Sequence, residues 1–167
     1  MTIVADSGPL IHLSIVQRFH LLQQCFHHIS TIPDVLDEVI TQGQGRPGAV
    51  ELHRAIQDGW IRIMHVTDPT TIERLVAPNL SHIDSSVIAC AIEHGARAVL
   101  SDDISVRRVA EREGLSAIGT VGILTHARLI GWVDSLKPLL DQLIREGFYL
   151  DPSGHIYQDA LRRAGER

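Results

Sequence analysis

Short apolar blocks alternate with segments of helical periodicity along most of the chain. Residues 2–6 (TIVAD) predict a short buried strand, and Ser7-Gly8-Pro9 starts a helix, with Ser or Gly as cap and Pro in the first turn. Residues 10–24 carry leucines and isoleucines at helical spacing. A second strand is expected at 27–32 (HHISTI), then a helix from Pro33 to Gln42 with Leu36, Val39 and Ile40 on its apolar side. A loop at 43–48 leads to a helix over 49–58 and a strand over 60–66 (WIRIMHV), whose apolar positions alternate. The middle of the chain is clearest. A helix over 81–94 turns Val87, Ile88, Ala91 and Ile92 inward, and a strand follows at 97–101. A helix over 103–113 turns Val106, Val109 and Ala110 inward, a short strand follows at 115–118, and Thr120 caps a helix to Ile130. Residues 135–165 read as two helices around a Gly147–Gly154 linker.

This β-α-β-α order predicts an α/β fold, a parallel sheet covered by helices. The 167 residues suit one domain with a real core. We expect the main unit at 1–134 and a helical extension at 135–167 packed on it. Apolar residues make up 44% and aromatics only 4%, so Leu, Ile, Val and Ala must do the packing. With 15 basic and 20 acidic residues the net charge is −5, so a surface for nucleic-acid phosphates would have to be local. No apolar run is long enough to span a membrane. The opening segment carries Asp6 early and lacks the basic start and cleavage site of a signal peptide, which predicts a cytoplasmic protein. Cys25 and Cys90 form no CxxC pair and read as buried thiols.

The acids fall at informative places. Asp6 ends the first strand, and Asp102 and Asp103 end the strand 97–101. In an open parallel sheet, ligands bind beyond the carboxyl ends of the strands, where strand order reverses. Glu38, on the helix after the second strand, and Asp84, in the first turn of helix 81–94, can lean over the same edge. Two unit charges 4 Å apart repel by roughly 4 kcal/mol at an effective dielectric of 20, so gathered carboxylates take up protons or bind a cation. Carboxylates and water suit Mg²⁺ and Mn²⁺.

Each acid also has a plainer role open to it. Asp6 in Asp-Ser-Gly-Pro serves equally as a turn or cap residue. Glu38 shares its helical turn with Asp34 and Asp37, where acids favour the helix dipole. Asp84 completes a capping-box-like Ser81-His82-Ile83-Asp84. Asp102 or Asp103 suits the N-cap of the following helix. Other signals fall away. Gly43-x-Gly45-x-x-Gly48 follows no strand and contains Pro47, so it reads as a plain loop. The ten histidines show no HExxH or paired Cys/His spacing, and His82 and His94 read as surface residues. There is no GxSxG elbow and no Walker A loop. A phosphatase with Asp6 as nucleophile lacks its second Asp, since that position is Gly8.

Four blocks in order resemble PIN-domain proteins, closest to a branch of predicted nucleic-acid-binding members. They are the apolar strand ending in Asp6 before Ser-Gly-Pro-Leu-Ile, "IPDVLDEVI" (32–40), "LSHIDSSVIACAIEHGA" (80–96) and "VLSDDISVRRVAEREGLSAIGTVGIL" (99–124). The tail "LIREGFYLD" (143–151) is similar to that branch as well. The resemblance implies a PIN-like three-layer sandwich and a metal-dependent ribonuclease, in the manner of VapC-type toxins restrained by an antitoxin protein. It places acids on Asp6, Glu38 and Asp84 and the last acids on Asp102 and Asp103, of which the spacing Ser101-x-Asp103 favours Asp103 as ligand. Asp6, Asp84 and Asp103 would hold Mg²⁺ or Mn²⁺, with Asp102 as a neighbouring acid of the metal set and Glu38 joining them or positioning a second ion. One departure stands out: the branch often has Gly-Glu-x-Glu in its third block, where this chain has Ile83-Asp84-Ser85-Ser86. A PIN-like module that binds RNA or protein without efficient catalysis is the alternative. Single-stranded or looped RNA is the expected substrate. Arg107 or Arg108 would steady a phosphate, against the alternative of surface pairing such as Arg107 with Glu111. Ser7 would bond a ligand carboxylate or the substrate, or cap the first helix. PIN relatives often pair, so a homodimer is expected by analogy.

Overall fold

The computed structural model describes residues 2–167. Among them are five strands: β1 (Ile3–Ala5), β2 (Ile29–Thr31), β3 (Ile61–Ile63), β4 (Ala98–Leu100) and β5 (Ser116–Ile118). They form one sheet in the order β3-β2-β1-β4-β5, and every pairing is parallel. The central strands β1 and β4 pair Ile3 with Ala98, Val4 with Val99 and Ala5 with Leu100. All six side chains are buried, as expected of strands covered on both faces.

The first half of the chain builds α1 (Ser7–Ile15), α2 (His20–Phe26), α3 (Pro33–Leu36), a π-helical turn (Asp37–Thr41) and α4 (Ala49–Gln57). Then come α5 (Pro69–Leu75), α6 (His82–Glu93), α7 (Ile104–Arg112), α8 (Thr120–Leu129), α9 (Lys137–Arg145) and α10 (His155–Arg163). From β1 the chain winds outward to β2 and β3, then returns to β4 on the other side of β1. Right-handed crossovers in opposite directions put the two sets of helices on opposite faces. The contacts agree: α6 packs on β1, β4, α5 and α7, while α1 packs on α4 and α8 and α2 packs on β2. The result is an α/β three-layer sandwich, a parallel sheet between two layers of helices, as expected from the sequence. Leu139, Leu140 and Leu143 of α9 and Tyr157 and Leu161 of α10 join the same hydrophobic cluster. No helix among the described residues is long and apolar enough to cross a membrane.

Several elements differ from the sequence expectation. The strands are three-residue ladders, shorter than the apolar blocks that contain them. The helix expected over 10–24 is two helices, because Gln17 takes a left-handed φ of 56° and redirects the chain. The helix expected from Pro33 to Gln42 passes into the π turn after one α turn. Helix α5 was not expected, although Asp68 caps Thr70 N–H at 2.9 Å and Pro69 opens it. Cys90 is buried as expected, whereas Cys25 is half-buried.

Candidate functional site

Strand order reverses between β1 and β4, so the crevice beyond their carboxyl ends is the place where this topology puts a ligand. A cleft of about 1090 Å³ opens there. It is lined by Asp6, Ser7, Glu38, Asp84, Asp102, Asp103 and Arg107 among others. Of the residues proposed from the sequence for the site, only Arg108 lies away from it.

Asp6 is the most buried of the acids that line it, at 8% exposure. Its backbone N–H donates to Leu100 O at 2.9 Å, continuing the β1–β4 ladder by one residue. Its carboxylate accepts from Ser7 N–H at 2.7 Å, which caps α1, and from Ser101 Oγ at 3.0 Å. Burial pushes the Asp6 carboxyl up to about 6, against the pull of those two bonds, and the charges of Asp84 and Glu38 push the same way. Three acids from β1, the π turn and α6 therefore share one field.

Glu38 is half-buried and faces the cleft, while Asp34 and Asp37 beside it are exposed and do not line it. Asp37 instead accepts from Gln42 Nε2 at 2.8 Å. Among the described residues, no hydrogen bond or ion pair holds the Glu38 carboxylate. Asp84 makes the reciprocal capping box: Ser81 N–H donates to Asp84 Oδ2 at 2.8 Å and Asp84 N–H to Ser81 Oγ at 3.1 Å. Ser86, where the resemblance suggests an acid, donates its Oγ to His82 O at 2.8 Å within its own helix.

The two adjacent aspartates take different parts. Asp103 is exposed and caps α7, accepting from Ser105 N–H at 2.6 Å and Val106 N–H at 3.1 Å through Oδ1. Asp102 turns the other way. It accepts from Thr120 N–H and Thr120 Oγ, each at 2.6 Å, and its Oδ2 lies 2.7 Å from His12 Nδ1. Gly119 is needed beside it, since a Cβ there would lie 2.9 Å from Asp102 Oδ1. Arg107 is half-buried and lines the cleft, whereas Arg108 is exposed outside it. No ion pair among the described residues engages either, so the expected Arg107–Glu111 pair does not form.

Sequence reasoning did not single out His12 or the far wall. Phe148, Tyr149, His155, Asp159 and Arg163, from the tail, complete the cleft. His12 looks in the sequence like one polar residue on an apolar helix, and its only signal is its lone place among leucines and isoleucines. Carboxylates outnumber guanidinium groups on the walls: Asp6, Glu38, Asp84, Asp102, Asp103 and Asp159 face Arg107 and Arg163. Among the described residues, no three His, Cys, Asp or Glu side chains already stand at metal-binding spacing. The cleft thus concentrates negative charge and oxygen donors, a setting for a hard cation in donor type and charge.

The sequence profile of DUF3368, a PIN domain, matches residues 2–166. Among solved structures, a PilT N-terminus domain protein from the hyperthermophilic archaeon Sulfolobus solfataricus P2 is similar at TM-score 0.53 and 15% identity, covering 90% of this chain and 100% of that one. VapC20 of Mycobacterium tuberculosis, a sarcin-ricin loop cleaving toxin, aligns at TM-score 0.49 and 21% identity, over 68% of this chain and 95% of the toxin. No curated protein matches the chain at a significant level.

Proposed function

The chain belongs to the PIN-domain family, and from that premise we propose that its acidic cleft hydrolyses RNA phosphodiester bonds with Mg²⁺ or Mn²⁺. One observation carries the proposal: Asp6, buried at the strand-order reversal, is held in the field of Glu38 and Asp84. Burying a carboxylate among like charges is costly unless a proton or a cation compensates. All the donors are carboxylate oxygens, and the walls carry more negative than positive charge. A polyanion cannot enter such a cleft comfortably without added positive charge, so the residues fit a divalent ion.

Asp6, Glu38 and Asp84 would hold it, with Asp103 at the rim. A bound divalent ion supplies a lowered pKa for water and positive charge against the phosphoryl oxygens. The chain supplies the rest. Ser7 N–H and Ser101 Oγ fix the Asp6 carboxylate. Arg107 offers its guanidinium to a phosphate oxygen. Hydrolysis adds water across the bond: a new P–O bond forms, the bond to the leaving oxygen breaks, and that oxygen takes a proton.

End-labelled single-stranded RNA incubated with Mg²⁺, Mn²⁺ or chelator tests the reading. Cleavage that needs the ion and disappears in Asp6→Asn supports it; intact RNA under every condition overturns it. A toxin role with a restraining protein partner is a finer form of the same proposal. Growth arrest on expression, relieved by Asp6→Asn, is its expected sign.

A second reading has its own observation. Ser86 replaces an acid and is turned back onto its helix, which favours a module that binds RNA without cutting it. Binding that survives Asp6→Asn, with no cleavage by the native chain, would select it.

A further inference from the structure

Tyr149 is 97% exposed, more than the other large hydrophobic side chains that line the cleft. A ring so exposed contributes almost nothing to packing. Its backbone, however, is fixed on the side that leads into it. Gly147 turns the chain with a left-handed φ of 96°, and Phe148 N–H donates to Leu143 O at 2.9 Å. The Phe148 ring then packs edge-on against His12, with centroids 4.6 Å apart, and His12 in turn meets Asp102. The segment that carries Tyr149 is therefore pinned to the acidic wall while its ring projects free. Arg163, from α10, also lines the cleft, is exposed, and enters no ion pair among the described residues.

We propose that Tyr149 is a stacking platform for one unpaired nucleobase of a single-stranded RNA lying along the cleft, with Arg163 contacting a neighbouring phosphate. This rests on the ribonuclease reading and names how that site grips its substrate. A flat amphipathic ring with two rotatable side-chain bonds stacks on any base at low entropic cost, and stacking of this kind tolerates all four bases. A cation beside the platform is the usual companion of stacking in grooves that track a single strand. The cleft of about 1090 Å³ is lined by the acids and by the tail segment together, which gives a strand held at the acids a path to Tyr149.

The test is the affinity of a fluorescein-labelled single-stranded octanucleotide RNA, read by anisotropy with Ca²⁺ as the divalent ion and checked to be intact afterwards. Tyr149→Ala should weaken binding about tenfold, while Tyr149→Phe and Tyr149→Trp stay within about twofold. An abasic site moved along the oligonucleotide should cost the native chain about tenfold at one position and cost Tyr149→Ala nothing further there. Equal affinity of Tyr149→Ala and native chain, or an abasic penalty that persists in the variant, overturns the proposal. So does unchanged RNA affinity combined with altered self-association, which would make Tyr149 a protein contact. Metal-dependent cleavage that continues through those failures leaves the nuclease reading standing; a native chain that neither binds nor cuts RNA removes both.

Discussion

His12 Nδ1 lies 2.7 Å from Asp102 Oδ2, joining the middle of α1 to the end of β4 across 90 positions of sequence. The same carboxylate receives both donors of Thr120, which is fully buried. Asp102 thus works as a three-way junction of α1, β4 and α8. Asp102→Ala leaves those donors without partners and should lower unfolding stability by about 3 kcal/mol in urea titration. His12→Ala removes one bond and should cost less, about 1 kcal/mol. An Asp102→Ala protein with an unchanged urea midpoint would show that the junction stabilises nothing.

Asp6 gives a prediction with a definite sign. Its folded pKa of about 6 lies above the ordinary 3.8. The associated stability is fully present below pH 3.8 and is lost as the pH rises through 6. Above that range the metal-free fold holds an unfavourable charge. Asp6→Asn should therefore be more stable than the native chain by about 3 kcal/mol at pH 7 in chelator, a gap that narrows as the pH falls through 6 and closes near 3.8. Adding Mg²⁺ or Mn²⁺ should raise the melting temperature of the native chain and leave the variant unmoved. Melting curves across pH, with and without the ion, decide both points.

The two neighbouring arginines separate cleanly. Arg107 lines the cleft and Arg108 does not. Arg107→Ala should lower RNA affinity by about fivefold to tenfold and flatten its salt dependence, while Arg108→Ala leaves both near native. Equal losses in a filter-binding series would mean that the helix as a whole, rather than one side chain, meets the phosphates.

Much of this site is legible along the chain, because acids at the ends of buried strands have few places to go once the sheet is parallel. Asp6 and Asp102 follow Ala5 and Leu100 by one and two residues, and those two residues are register partners. Glu38 is legible as a candidate, but not its advantage over Asp34 and Asp37, which depends on the π turn. His12 shows only its place among leucines and isoleucines, and Tyr149 lies in a tail block whose resemblance does not mark it as a cleft residue. The places of Tyr149 and Arg163 follow from how α9 and α10 dock on the first half of the chain, and no local pattern encodes that docking.

Glu166 secures part of that docking. It accepts from Leu136 N–H at 2.8 Å, Lys137 N–H at 2.9 Å, Ser135 Oγ at 3.0 Å and Arg128 Nε at 2.9 Å. Burial alone would raise its carboxyl, but these donors pull it down to about 2. Its contribution is therefore complete above pH 4.5 and fades as the pH falls through 2. Glu166→Ala should cost about 2 kcal/mol at neutral pH, with a smaller difference in acid, by denaturant unfolding at several pH values. Removing 135–167, proposed as an extension packed on the main unit, should expose core leucines and lower the melting temperature further. A truncated chain that melts like the native one would count against that packing.

The bond from Ser101 Oγ to Asp6 spans 95 positions, and this has a consequence during synthesis. A ribosome-bound chain that has not yet extruded β4 and Ser101 presents Asp6 with no Leu100 carbonyl and no Ser101 hydroxyl to seat it. The wall from α10 emerges later still. Under the proposed ribonuclease reading, any hazard to the translating cell's own RNA is thereby deferred by the order in which the polypeptide is made, since the parts of the blade arrive first and its edge last.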